Sequence, residues 1–401
     1  MTLFAGSVVF IDDELGREDS QAFALLQEIE ATGRPVVRAK SLPDDQEAWF
    51  EHWRSLAFVV LDWDLSPGSS GSTGGATLSA YRRKELYRFV RSLMERIYCP
   101  IVIISAEDTE DIRRQMSENA DFTTESGAID ARIAIFAKDV LMSRIVAHLS
   151  DWVANNPAFS ALKAWEQEYE SAKNKLFIDL NELEPDWPAY VWCAANDDGV
   201  DPAFELASAI SANLLNRLNP VAFDVDAIVN FGGAISGASR RRVSQGRTLV
   251  PEDRLHKTMV LPGDIFVLNG APEGEVWINV SPVCQTVCRP RRGDDGTEKL
   301  EPVRLHLLKG VRQAMPTTKR AFNSLDEKGR GPNSVLIHTV LDAHPYLFAF
   351  GEAQIVDWDS VKDRRVGRLL PPYITRVQQM HSAYVQSVGL PKVTSKLYGL
   401  S

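Results

Sequence analysis

Cysteine is scarce in this chain: four in 401 residues, Cys99, Cys193, Cys284 and Cys288, at irregular spacing. In a chain this long, that excludes a disulfide framework as the basis of the fold. Long apolar runs are also missing, since no stretch approaches the roughly 20 residues that a membrane helix needs. The opening MTLFAGSVVF lacks the positive n-region of a signal peptide. No G-x-G-x-x-G follows the first apolar run and no G-x-x-x-x-G-K-[ST] occurs anywhere, which excludes the standard glycine-rich phosphate cradles. No helix-turn-helix or winged-helix recognition segment stands out, so an ordinary transcription factor is disfavoured. These absences describe a cytoplasmic protein that makes no use of a membrane.

What is present is the composition of a globular protein, 44% hydrophobic and 24% charged. Four hundred residues exceed one ordinary core, so at least two domains are expected. The net charge of −10 argues against wholesale coating of nucleic acid. The balance is uneven, however. Residues 240–330 hold 17 Lys and Arg against 11 Asp and Glu. Such a segment fits either a basic face for an anionic partner or a solvated, partly self-paired surface.

The first 150 residues repeat one grammar: a short apolar run bounded by turn formers and ending in a chemically active residue. SVVFIDD runs from Val8 to Ile11 into Asp12 and Asp13, and FVVLDWD runs into Asp62 and Asp64. CPIVIIS ends at Ser105, and ARIAIFAK ends at Lys138. A further strand is expected at Pro35–Lys40. The runs are continuous rather than alternating, as strands buried on both faces are. Helix-patterned segments separate them, beginning at Asp19, Lys84, Glu107 and Asp139. Strand alternating with helix in this way predicts a doubly wound α/β domain. Ligands of such sheets collect at the carboxyl ends of the strands, which is where Asp12, Asp13, Asp62, Asp64, Ser105 and Lys138 fall.

Carboxylates gathered at one point repel unless a hard divalent cation neutralises them, and Mg²⁺ suits an oxygen-only set that leaves positions open for phosphate. A carboxylate beside that cation can act as nucleophile toward a phosphoryl group. A hydroxyl and an ammonium, Ser105 and Lys138, suit the phosphoryl oxygens. The competing reading is a nucleotide-binding domain whose acids are surface coincidences.

On the motifs FIDDE, VLDWDLSPG, IISAED and FAKDV, residues 1–152 resemble the receiver domain of bacterial two-component response regulators. The resemblance implies a flavodoxin-like sheet and an aspartyl phosphate formed from a kinase phosphohistidine. It implies that Asp62 is the acceptor and that Asp12 and Asp13 form the metal pocket. By the same resemblance the backbone carbonyl of Asp64 completes the metal shell, Ser105 is the switch hydroxyl and Lys138 the phosphate-binding lysine. Several positions depart from the pattern. Asp139 follows the lysine where proline is usual, Ile135 stands at the aromatic switch position, and the Ser/Gly-rich loop from Ser66 to Gly75 looks inserted. That loop reads as a gate over the acceptor or as a solvated insertion. The departures bear on the usual dimerisation face rather than on phosphorylation.

A helix from Pro157 to Leu176 follows, with Phe159, Leu162, Trp165, Tyr169 and Leu176 on one stripe. It is expected to link the domains, 153–180, by packing on a neighbouring domain or on its twin in a homodimer. Residues 181–401 read as an α+β output or accessory domain with an antiparallel, β-barrel-like core. Asp201 and Pro202 start a helix there. Arg240, Arg241, Arg242 and Arg247 fall in an expected exposed loop. Strands are expected at Ile265–Leu268, Val276–Ser281, Val303–Leu308 and Ser334–His338, and a closing helix after Pro372. Cys284 and Cys288 form a C-x₃-C without finger-spaced histidines among His306, His338 and His344, so zinc is not expected. Asp264 reads as a turn residue entering a strand.

In architecture the whole chain resembles the accessory receiver protein of phage-defence two-component systems of the Detocs type. The expected partners are a histidine kinase and, if the protein is a phosphate sink, another receiver-containing effector. The competing function is a receiver-controlled nucleic-acid-binding or nuclease effector.

Overall fold

The computed structural model describes residues 6–53, 56–65, 75–124, 127–142, 144–223, 225–229, 236–287, 290–292, 298–300 and 302–387. The chain forms two compact units. One comprises Met1–Leu183 with Ser211–Gly232, and the other Glu184–Ile210 with Gly233–Ser401.

The first unit opens with β1 (Ser7–Ile11), α1 (Gln21–Glu30), β2 (Val36–Ala39), α2 (Gln46–His52) and β3 (Leu56–Asp62). It continues with α3 (Gly75–Arg96), β4 (Ile101–Ser105), α4 (Thr109–Ser117), β5 (Ile133–Ala137), α5 (Lys138–Leu141) and α6 (Ile145–Ala154). The strands form a parallel sheet in the order β2-β1-β3-β4-β5. Alternate residues serve opposite faces, as the pleat requires. Val9, Ile11, Val59, Leu61 and Ile103 meet Phe50, Phe89 and Ile112 from α2, α3 and α4. Val8, Phe10, Val60, Val102 and Ile104 meet Leu25, Ile29, Leu141 and Leu149 from α1, α5 and α6. Burial on both faces explains the unbroken apolar runs. Side-chain caps fix the helix starts: Ser20 Oγ accepts from Phe23 N–H, Asp45 Oδ1 from Ala48 N–H, and Asp108 Oδ1 from Glu110 N–H. The segment expected as one helix after Lys138 divides into α5, which ends at Leu141, and α6, which begins at Ile145.

Helix α7 (Pro157–Leu183) runs beyond its expected end. Its buried face carries Phe159, Lys163, Ala172 and Leu176, whereas Leu162 and Trp165 of the expected stripe are exposed. The difference turns on a lysine. Lys163 Nζ donates to the Leu56 carbonyl at 2.9 Å and pairs with Glu166 Oε2 at 2.7 Å, so the ammonium is satisfied indoors while its stem packs. That bond ties α7 to the first residue of the strand that ends in Asp62.

Along the chain, α8 (Trp187–Asp197), α9 (Pro202–Arg217) and α10 (Val225–Val229) follow α7. Asp201 Oδ1 accepts from Ala203 and Phe204 N–H, the cap its position suggested. Next come α11 (Gly237–Thr248), β6 (Leu249–Pro251), β7 (Asp264–Phe266), β8 (Glu275–Asn279), β9 (Pro290–Arg292), β10 (Glu298–Leu300) and β11 (Arg304–Arg312). The unit closes with α12 (Lys319–Gly329), β12 (Ser334–Ile337), β13 (Tyr346–Asp357), α13 (Trp358–Val361), β14 (Arg365–Leu369) and α14 (Tyr373–Val385). Seven strands form an antiparallel sheet, β12-β13-β11-β8-β7-β14-β6, curled as a half-barrel. One face packs Ile265, Ile278, Leu308 and Phe348 under Ile374 and Val377 of α14. The other packs Phe266, Leu305 and Leu307 under Trp358 and Val361 of α13.

The expected arginine loop is instead helix α11, begun by Ser236 Oγ accepting from Ser239 N–H at 3.1 Å. Arginine is a good helix former, so a cap suffices to carry the run into a helix while leaving its side chains in water. Among the described residues no helix is long and apolar enough to cross a membrane.

Candidate functional site

The parallel sheet delivers four strand ends to one edge. Asp12 directly follows β1 and donates its backbone N–H to the Ala39 carbonyl. Its Oδ1 accepts from Glu14 N–H at 2.8 Å, capping a short 3₁₀ turn, Asp13–Gly16, that holds Asp13 beside it. Asp62 ends β3 and stands in register with Ile104, one residue before Ser105, which in turn pairs with Ala137. Lys138 follows as the first residue of α5. Asp12, Asp62, Ser105 and Lys138 are all buried.

Their functional atoms converge. Lys138 Nζ lies 2.8 Å from Asp12 Oδ2 and 3.1 Å from Asp62 Oδ1. Carboxylate oxygens of Asp12, Asp13 and Asp62 lie within 4.8 Å of one another. Ser105 Oγ accepts from Glu107 N–H at 2.9 Å, which fixes the loop after β4. Asp64 offers its backbone N–H to the Asp62 carboxylate, and burial together with the nearby Asp64 carboxylate raises the Glu107 carboxyl. The Ser/Gly-rich gate candidate, residues 66–74, lies outside the described residues, as does Cys288.

Burial and the charge of Asp12 push the Asp62 carboxyl up to about 7, against the opposing pull of Lys138 and the Asp64 N–H. Asp13 is raised by burial and by its neighbours Asp12 and Glu14. Burial works against the Lys138 charge, yet Asp62 and Asp12 outweigh it and hold the ammonium above its ordinary range. Within this tight group Asp12 Oδ2 and Asp62 Oδ1 find no well-angled hydrogen-bond donor, so their lysine contact is ionic. Two buried oxygens with unused lone pairs, beside a third, half-buried carboxylate, fit a hard divalent cation.

The raised Asp62 carboxyl has a stability consequence. Its favourable contribution is fully present below 3.8, the ordinary value, and is lost as pH rises through about 7. In EDTA, Asp62→Asn is therefore expected to gain on the wild type across that window, reaching ~1–3 kcal/mol near pH 8. Urea denaturation at several pH values measures it, and a difference that does not vary with pH would contradict the stated cause.

Other surroundings were not legible in the sequence. Trp63, buried directly after Asp62, carries Arg83 5.4 Å above its ring. An open pocket of ≈ 400 Å³ lies alongside, lined by Gln21, Glu107, Asp108, Thr109 and Asp139 among others. In the second unit Asp264 is no simple turn residue: it is fully buried and paired with Arg365 and Arg368. Cys284 is exposed.

No family model matches the chain, and no curated protein matches it. One solved structure with some likeness is described as the yeast Spc42 trimeric coiled coil, amino acids 181–211, fused to another structure. It is 17% identical, covers 43% of this chain and 97% of its own, and has a TM-score of 0.23, too low to show a shared fold.

Proposed function

We propose that the first unit is a flavodoxin-like receiver domain that takes a phosphoryl group on Asp62 from a partner histidine kinase, with Mg²⁺. One observation carries the reading: a buried carboxylate at the tip of the third strand, ion-paired to a buried lysine and grouped with two further carboxylates. The strand order β2-β1-β3-β4-β5 supports it, because it places the crevice of a doubly wound sheet between β1 and β3, where Asp12 and Asp62 stand.

In this reading Asp12, Asp13 and Asp62 would hold the cation, together with the Asp64 carbonyl. When bound, Mg²⁺ supplies neutralisation of the phosphoryl oxygens. An Asp62 oxygen forms the new O–P bond as the donor's P–N bond breaks, and the electron pair leaves on the imidazole nitrogen, which takes up a proton. Lys138 exchanges its Asp62 contact for a phosphoryl oxygen, and Ser105 donates its hydroxyl to another. The added charge, roughly −1.5 to −2 as for other phosphorylated side chains, then biases the loops after β4 and β5. In a cytoplasmic two-component pathway, antiphage defence included, the second unit reads out that shift as a monomer or homodimer. In the alternative, the protein drains phosphate from another receiver-containing effector.

Acetyl phosphate or beryllofluoride with Mg²⁺ tests the chemistry. One adduct per wild-type chain is expected by mass spectrometry, and none with Asp62→Asn or in EDTA. An adduct that survives Asp62→Asn would end the proposal. Deleting residues 233–401, which spares the Ser211–Gly232 segment of the first unit, separates readout from sink, since only the sink keeps its phenotype.

A further inference from the structure

We infer that helix α11 is a contact surface for the phosphate backbone of nucleic acid. Residues 227–251 contain four arginines and no acid, in a chain whose net charge is −10. Arg240, Arg241 and Arg247 are exposed on this helix, and no carboxylate among the described residues pairs with them. Thirteen other described arginines each lie within ion-pair distance of an acid. Arg88, Arg254 and Arg320 have no ion pair among the described residues either, but each sits on an element that carries acids of its own, whereas α11 carries none, so the charges of Arg240, Arg241 and Arg247 add.

The helix is fastened by other residues. Ser244 Oγ lies 3.0 Å from Thr339 Oγ1, and the Thr248 hydroxyl donates to the Thr339 carbonyl. Anchoring at these points falls to small polar side chains. From Arg240 to Arg247 the axis advances about 10 Å, close to three phosphates of one strand at their 3.4 Å rise. Guanidinium forks suit phosphate oxygens in pairs and are weakly hydrated, so contact costs little desolvation. Alanine, glycine and serine flank the arginines, and a Cβ placed on Gly246 would meet nothing within 4 Å, so a bulky polymer can approach. A membrane surface is the poorer partner, because Val243 is the lone large apolar residue of α11 and there is no apolar face to insert.

This inference does not depend on the chemistry at Asp62. Its test is fluorescence anisotropy of the full chain with labelled mixed-sequence single-stranded DNA, the same RNA and duplex DNA, with phosphatidylcholine–phosphatidylserine vesicles as a separate arm. Three phosphate contacts predict a log–log salt slope of about −2 to −3 and a loss of about 20–40-fold in affinity from about 50 to about 200 mM salt. The combined variant Arg240→Ala, Arg241→Ala, Arg247→Ala should flatten the slope and weaken low-salt binding by about 10-fold or more. Lysine at the same three positions should keep most of the slope, which separates charge from fold. The polymer bound most tightly identifies the nucleic acid. Absent binding at about 50 mM salt, a slope near zero, alanine variants that bind like the wild type, or preference for vesicles would each overturn the inference.

Discussion

Lys138→Ala is expected to lower the stability of the metal-free protein by about 3–5 kcal/mol near pH 8, the scale of breaking a buried ion pair by removing one partner. The ammonium is the shared counter-charge of Asp12 and Asp62, at 2.8 and 3.1 Å, and it is only 5% exposed. Without it two adjacent buried carboxylates face each other with their shared counter-charge gone. The protein can escape part of that cost by taking up a proton, and Asp62, already up at about 7, is the group to do so. The deficit should therefore shrink as pH falls below that value. It should also shrink in the Asp62→Asn background, where one of the two charges has gone, with a coupling energy of ~1–3 kcal/mol in a double-mutant cycle. Divalent cation should restore more stability to Lys138→Ala than to the wild type, because the competing ammonium has left the carboxylates free. Urea denaturation in EDTA, then with added MgCl₂, measures all three effects. A loss under ~1 kcal/mol near pH 8, with no coupling to position 62, would mean that the lysine is an exposed-type pair of little consequence.

The strand tips were legible in the sequence because burial on two faces removes polar residues from a strand until it ends. Ile11, Leu61 and Ile104 are each buried, and the first polar side chain after each is a site residue. Periodicity did not reveal the strand order. The order depends on which helix covers which face, and that is settled by packing of residues such as Phe50 and Leu25 far apart in the chain. The second unit was harder for the opposite reason. Strand β14, RVGRL, carries two arginines and so reads as surface, yet Arg365 is buried and Gly367 lies in a register shift. Its identity as a strand depends on Asp264, about a hundred positions away. Helix α7 shows the same limit: the half-exposed Trp165 looks like core by composition, while the buried Lys163 looks like surface.

Asp264→Asn is the corresponding experiment on the second unit and should cost about 3–5 kcal/mol. Asp264 Oδ2 accepts from Leu261 N–H at 3.0 Å and lies 3.2 Å from Arg365 Nη1, while Oδ1 accepts from Arg368 Nε at 2.5 Å. Asparagine keeps the shape and can still accept from Leu261, but its amide nitrogen turns the other acceptor into a donor facing an arginine, so the substitution removes charge and an acceptor together. Arg365 retains Glu252 and the carbonyls of Met259 and His256. Arg368 retains only the Met259 carbonyl among these partners and is left without a counter-ion on a mostly buried side chain. The network joins β7 to β14 and both to the segment around Glu252, so its loss loosens three parts of the sheet at once. A network with an exposed member, Glu352, in the same unit provides the internal standard. Lys309 pairs with Glu275 and Glu352 at about the same distances, yet Glu352→Ala should cost no more than ~1 kcal/mol, because water screens it. Trp358, with the Arg365 guanidinium 5.7 Å from its ring, offers a fluorescence report on the same network. If Asp264→Asn proved as mild as Glu352→Ala, the half-barrel would be held by its two apolar faces alone, and the buried arginines would have to be reached by water.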